Sequence, residues 1–151
     1  KIRWIPDGML NVTQARARKY AAEDPKNRRL LPIGLEDATV LAAIVKVARG
    51  LTYNNKPVVP TECWSVGSSG TLSRGLQAAF PKATINVVQT GHSMSKEQIG
   101  RAIFHKSKYK FDQRCKEAEM PPYNSEPYYD SKLWSIVKKH GKKGALVWNV
   151  A

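Results

Sequence analysis

From Glu62 to Gln89 the chain reads as one folding unit, and this unit constrains the rest. A short apolar segment, Glu62-Cys63-Trp64-Ser65-Val66, runs into Gly67-Ser68-Ser69-Gly70. An amphipathic helix leaves that loop at Thr71 and reaches Phe80. Pro81-Lys82 turns the chain into Thr84-Ile85-Asn86-Val87-Val88-Gln89, an apolar and β-branched strand. Two strands joined through a helix are parallel, with a right-handed crossover. The loop then lies at the carboxyl end of a parallel strand, where open α/β sheets bind ligands. Backbone N–H groups converge in such a loop, and the helix dipole adds partial positive charge at the same point. The hydroxyls of Ser68, Ser69 and Thr71 are further candidate donors. The loop matches neither G-x-x-x-x-G-K-[ST] nor G-x-G-x-x-G, which argues against the common nucleotide motifs.

The flanking sequence continues the alternation. Lys1 to Ile5 suits an edge strand, and Pro6-Asp7-Gly8 a turn. Val12 to Glu23 reads as a helix capped by Asn11 or Thr13, and Arg29 to Ile33 as a short strand. Glu36 to Arg49 is a helix with a broad apolar face (Val40, Leu41, Ile44, Val45, Val47) and Gly50 at its stop. Thr52 to Pro60 is a polar connector. Beyond the central unit, a helix is expected from Ser95 to about Phe104, another from Asp130 to Lys139, and a closing strand from Ala145 to Val150. The 151 residues suffice for one ordinary core. The expected fold is α/β: a single compact three-layer domain over 1–151 with a mainly parallel sheet.

Charge narrows the partners. Twenty-five Lys and Arg against twelve Asp and Glu give +13, a bias towards polyanions. The excess gathers in Arg16–Arg29, Lys106–Lys116 and Lys138–Lys143; the middle cluster interleaves with Tyr109 and Phe111. Lys106, Lys108, Lys110 and Arg114 are therefore candidate contacts to DNA or RNA. No helix-turn-helix, RRM or zinc-finger pattern supports base-specific readout. Cys63 and Cys115 lie far apart with no C-x-x-C spacing, so free thiols in a reducing cytoplasmic compartment are expected. No His/Cys/Asp/Glu cluster has metal-ligand spacing, and no apolar run approaches the roughly 20 residues of a membrane span.

The run Val66-Gly67-Ser68-Ser69-Gly70-Thr71-Leu72-Ser73-Arg74-Gly75-Leu76, with Phe80 to Val88 after it, resembles the phosphate-cradle βαβ of fold-type II pyridoxal-phosphate enzymes. These are the relatives of cysteine synthase, tryptophan synthase β and aminocyclopropane-carboxylate deaminase. Leu31-Pro32-Ile33-Gly34 and the helix after it are similar to the deaminase branch, so the resemblance covers about residues 30–90. It implies a lyase or transferase acting on a phosphorylated or nucleotide-like substrate. It also implies pyridoxal phosphate as cofactor, gripped by Gly67, Ser68, Ser69, Gly70 and Thr71. Family members are longer, two-lobed, and carry a Schiff-base lysine near the start of the chain. The nearest counterpart here, Asn11 to Tyr20, has no lysine before its arginines.

Further candidates come from the residues alone. His92 follows the second strand of the unit and is placed for a general base or a phosphate donor. Pro121 to Asp130 packs three tyrosines into an irregular segment, too aromatic for disorder. Tyr123, Tyr128 and Tyr129 are candidates for stacking on a ring, and Asp130 and Lys132 supply charge beside them. His92, Tyr123, Asp130 and Lys132 make the candidate catalytic set, and no residue is assigned to a metal.

Overall fold

The structure, a computed structural model, describes residues 8–32 and 34–150. The strand expected at Lys1–Ile5, the start of the turn at Pro6-Asp7, and Ile33 lie outside the described residues. By their contacts the residues fall into two units, one ending at Pro32 and one beginning at Ile33.

The first unit holds helix α1, Leu10–Ala22. It begins earlier than expected, with Met9 at the cap position and no side-chain cap. Asn11 and Thr13 sit inside the first turn instead, where the Thr13 hydroxyl donates to Leu10 O at 2.9 Å. After the helix, Arg28 lies over the Tyr20 ring at 3.9 Å and donates to Tyr20 O at 2.8 Å, closing the chain back on itself. The strand expected at Arg29–Ile33 does not form; Arg29 to Pro32 is irregular.

The second unit is an α/β fold. Helix α2 (Ala38–Arg49) starts at Asp37, whose carboxylate accepts from Thr39 N at 2.8 Å. Next, β1 (Thr52–Tyr53) and β2 (Lys56–Pro57) form a small hairpin inside the expected connector. Its turn residues Asn54 and Asn55 both take positive φ, the requirement of a tight two-residue hairpin turn. The expected core unit follows as β3 (Glu62–Gly67), α3 (Thr71–Ala79) and β4 (Thr84–Gln89).

The expected helix from Ser95 to Phe104 is corrected. Ser95 does cap a helix through a reciprocal bond pair with Gln98, but α4 spans only Lys96–Ile99. Gly100 leaves it at φ +60, and Ile103–Lys106 becomes strand β5, pairing parallel with Asn86–Gln89. A 3₁₀ turn over Asp130–Leu133 precedes α5 (Trp134–His140), and β6 is limited to Leu146–Val147.

The four-stranded sheet has the order β5-β4-β3-β6, every pair parallel. Period-two alternation gives it two dry faces. Cys63 and Ile85 pack with Leu76, Ala79, Phe80 and Ala48 beneath α3 and α2. Trp64, Val66 and Val88 pack with Leu133 and Val137 on the opposite face. Each fully buried aliphatic side chain contributes about 1.5–3 kcal/mol, so helical cover on both faces holds the sheet in three layers. Helices α2 and α3 approach closely at Gly75, where a Cβ would stand 2.5 Å from Ile44 Cγ2. Both cysteines are free and buried, and burial pushes the Cys63 thiol up to about 12. Among the described residues no helix is long and apolar enough to cross a membrane.

Candidate functional site

Along the chain the strands are added in one direction from β3 through β4 to β5, and then β6 joins the other side of β3. The order reverses between β3 and β6. Such a switch point leaves a crevice at the carboxyl ends of the strands, and the Gly67–Gly70 loop opens there. Gly70 caps α3 at φ +81, and a Cβ on it would stand 2.4 Å from Gln98 O, so only glycine fits. No side chain caps α3. Thr71 N reaches Ser69 Oγ at 3.4 Å; no described protein acceptor meets the N–H groups of Leu72 and Ser73. These are the orphan donors of a helix start, aimed where its dipole is positive.

The hydroxyls are arranged differently from the expectation that all three serve a ligand. Ser69 Oγ and Thr71 Oγ1 both lie against the carbonyl of Gly34, at 3.2 and 2.7 Å, and 3.1 Å from each other. Their protons brace the loop. Ser68 Oγ accepts from His92 N at 3.3 Å, which leaves its own proton to donate.

The loop forms one wall of a cavity of about 580 Å³. Val40, Ile44 and Val47 of α2 form another wall, and Tyr129 and Trp148 supply aromatic surface. Among the described residues no charged side chain lines it, so an anion there would rest on backbone N–H groups, the α3 dipole and Ser68. Sequence reasoning missed the α2 wall and Trp148. The available signal was the width of the α2 face: of that whole apolar stripe only Ala48 is fully buried, and Val47 is 57 % exposed.

The candidate catalytic residues are not brought together in this cavity. His92 joins the loop only through its backbone, and its side chain is exposed. Tyr123 stacks edge-on against Trp134 at 5.7 Å. Asp130 is buried beside the tyrosines: burial first, and then its charge, hold the Tyr123 phenol above its ordinary value. Burial likewise raises Tyr129, with the Thr90 hydroxyl opposing and Asp130 adding to the rise. Tyr129 stands at the cavity wall. Lys132 is only 1 % exposed, and its Nζ donates to the carbonyls of Lys110 and Phe111 at 2.7 and 2.8 Å. Burial pulls its ammonium below the ordinary value, against the pull of Glu126 and Asp112. Lys132 is a clamp on a loop, and its side chain is not part of the cavity lining.

The basic set also divides. Lys106, Lys108 and Lys110 line a smaller cleft at the carboxyl ends of β4 and β5, whereas Arg114 does not line it and pairs with Glu117 at 3.4 Å. Lys108 is bound to Glu119 at 2.6 Å, and Tyr109 donates to the same carboxylate at 2.8 Å. The hydrogen bond from Lys108, with that from Tyr109, holds the Glu119 carboxyl below its ordinary value. Among the described residues no group of three or more His, Cys, Asp or Glu side chains is placed to hold a metal. Comparison of the chain with protein-family models, with curated proteins and with solved structures gives no match.

Proposed function

We propose that the second unit binds a phosphate-bearing small molecule with a flat, largely apolar body. The observation that carries this reading is the opening of the α3 start onto the 580 Å³ cavity at the switch point of the sheet. The phosphate would sit on the N–H groups of Leu72 and Ser73 with the Ser68 hydroxyl beside it. The body would lie between the α2 wall, Tyr129 and Trp148, and Tyr129 would donate to a polar edge of the ring. That volume falls within the range of about 300–1,000 Å³ that holds small ligands.

Pyridoxal phosphate, implied by the resemblance, fits this site in part. The cradle suits its phosphate and the aromatic wall its ring. Among the described residues no lysine lines the cavity, however, and Lys132 is engaged elsewhere, so these residues do not fit an aldimine-forming cofactor.

Thermal unfolding with ligand pairs tests it. Pyridoxal 5′-phosphate at about 100 times its Kd adds about 2.7 kcal/mol of stability, read as a rise in Tm. Pyridoxal without phosphate, at the same concentration, is expected to leave Tm unchanged. Equal shifts from both compounds, or none from either and none from inorganic phosphate, would overturn the assignment.

A further inference from the structure

A second candidate recognition site lies at the neighbouring strand ends. The cleft at the ends of β4 and β5 has a volume of about 240 Å³ and is lined chiefly by polar atoms. That is below the roughly 300 Å³ of pockets that enclose a small molecule. It suits a groove that grips one group of a longer chain and leaves the remainder in solvent.

Three observations give this groove its chemistry. First, Lys106 and Lys110 stand at its wall with no carboxylate in ion-pair reach among the described residues, whereas the third lysine, Lys108, is neutralised by Glu119. Second, Phe111 lines the same cleft and is 65 % exposed, an aromatic face left in water beside two uncompensated cations. Third, Thr90 lines it with its hydroxyl buried. That hydroxyl is close enough to Tyr129 to favour the ionised phenol, yet makes no hydrogen bond of ordinary length among the described residues.

The carrier of the lysine and the aromatic ring is fixed from beneath. Lys132, itself buried, draws the carbonyls of Lys110 and Phe111 inward. Two oxygens that would repel an anion are thereby turned onto an ammonium, and the side chains of the same residues stay at the cleft. A preset pair of cations with an adjoining aromatic face is how proteins hold a nucleic-acid strand without reading its sequence. The chain charge of +13 raises the local concentration of such a polyanion.

We infer that this cleft binds single-stranded nucleic acid, with phosphate between Lys106 and Lys110 and a base stacked on Phe111. A phosphopeptide or a free phosphate would leave the Phe111 face without a role.

The test is fluorescence anisotropy with a labelled oligodeoxythymidylate of about 15 nucleotides, measured across a potassium chloride series. Parent protein is expected to bind with a log K that falls with log salt, by about 0.7 for each phosphate neutralised. The pair Lys106→Gln and Lys110→Gln lowers affinity about tenfold or more at low salt and flattens the slope by about 0.7, the share of the one phosphate they hold. Phe111→Ala weakens binding about five- to a hundredfold with the slope unchanged. Lys138→Gln with Lys139→Gln on α5 removes equal charge and is expected to change affinity far less.

Absence of binding at low salt would overturn the inference. So would equal losses in the cleft and α5 variants, a duplex of the same length binding as tightly as the single strand, or a Phe111→Ala variant with parent affinity. Each variant is first checked for parent Tm, so that a lost affinity is not a lost fold.

Discussion

Replacing Lys132 with methionine tests the clamp beneath the cleft. Methionine keeps the length and flexibility of the side chain and removes the ammonium. Lys132 donates to two carbonyls, at 2.7 and 2.8 Å, from a position 1 % exposed. A hydrogen bond with a charged partner contributes about 1.5–3 kcal/mol, so the two together represent about 3–6 kcal/mol. Two effects oppose this. The variant no longer buries an ammonium, a cost visible in the lowered pKa of Lys132. The freed carbonyls also belong to Lys110 and Phe111, both surface residues, and can regain water. The expected net loss is about 2 kcal/mol. In urea, where m is about 1–3 kcal/mol per M for small proteins, the midpoint should fall by about 1 M. The pH dependence supplies an independent arm. A lysine lowered on folding binds fewer protons in the folded than in the unfolded state between its folded pKa and 10.5, so its contribution to stability rises with pH across that window. It is lost as pH falls below the window, and the methionine variant lacks that part of the slope. A variant as stable as the parent, with amide exchange unchanged over residues 107–113, would refute the reasoning: the carbonyl bonds would then only balance the cost of burying the charge.

Three further outcomes follow from other contacts. Gly70→Ala places a Cβ 2.4 Å from Gln98 O at φ +81, and should cost about 3 kcal/mol from left-handed strain and overpacking. Urea unfolding would show it, together with a lost Tm response to pyridoxal 5′-phosphate. Gly75→Ala drives a Cβ to 2.5 Å from Ile44 Cγ2, so about 1–3 kcal/mol should be lost as α2 moves off α3; a parent-like midpoint would contradict the close packing. Burial, with the charge of His140, holds His105 below its ordinary 6.5. Stability should therefore rise with pH from the folded pKa of His105 up to about 6.5 and be lost below it, and a His105→Gln variant should flatten that slope in urea titrations across pH 5 to 7.

The sequence was most legible where local pattern and tertiary pairing agree. β3, α3 and β4 fall within a residue of the expected bounds because the Gly-rich loop and Pro81 fix both ends of the helix. β5 was hidden because Ile103 and Phe104 continue the α4 pattern in sequence, whereas their partners Asn86 and Val87 are far off along the chain. The hairpin at Asn54-Asn55 carried a turn signal in its two asparagines, but strands of two residues leave no periodicity to read. At the site, the loop was legible and its surroundings were not. Gly34 stands more than thirty residues from the hydroxyls it engages. Lys132 reads from the sequence as a charge in the candidate catalytic set because nothing there shows that two carbonyls wait for it.

The Gly34 carbonyl has a consequence for the time course of recognition. It already holds Ser69 and Thr71 in place, so the loop stands in its final form before any ligand arrives. Encounter then requires stripping water from the N–H groups of Leu72 and Ser73, with no segment left to order. Association should follow a single exponential whose rate climbs linearly with ligand concentration, without the plateau that a slow rearrangement imposes. The residence time, set by how well the cavity wall covers the bound ring, would then carry the differences in affinity among ligands that share the same phosphate.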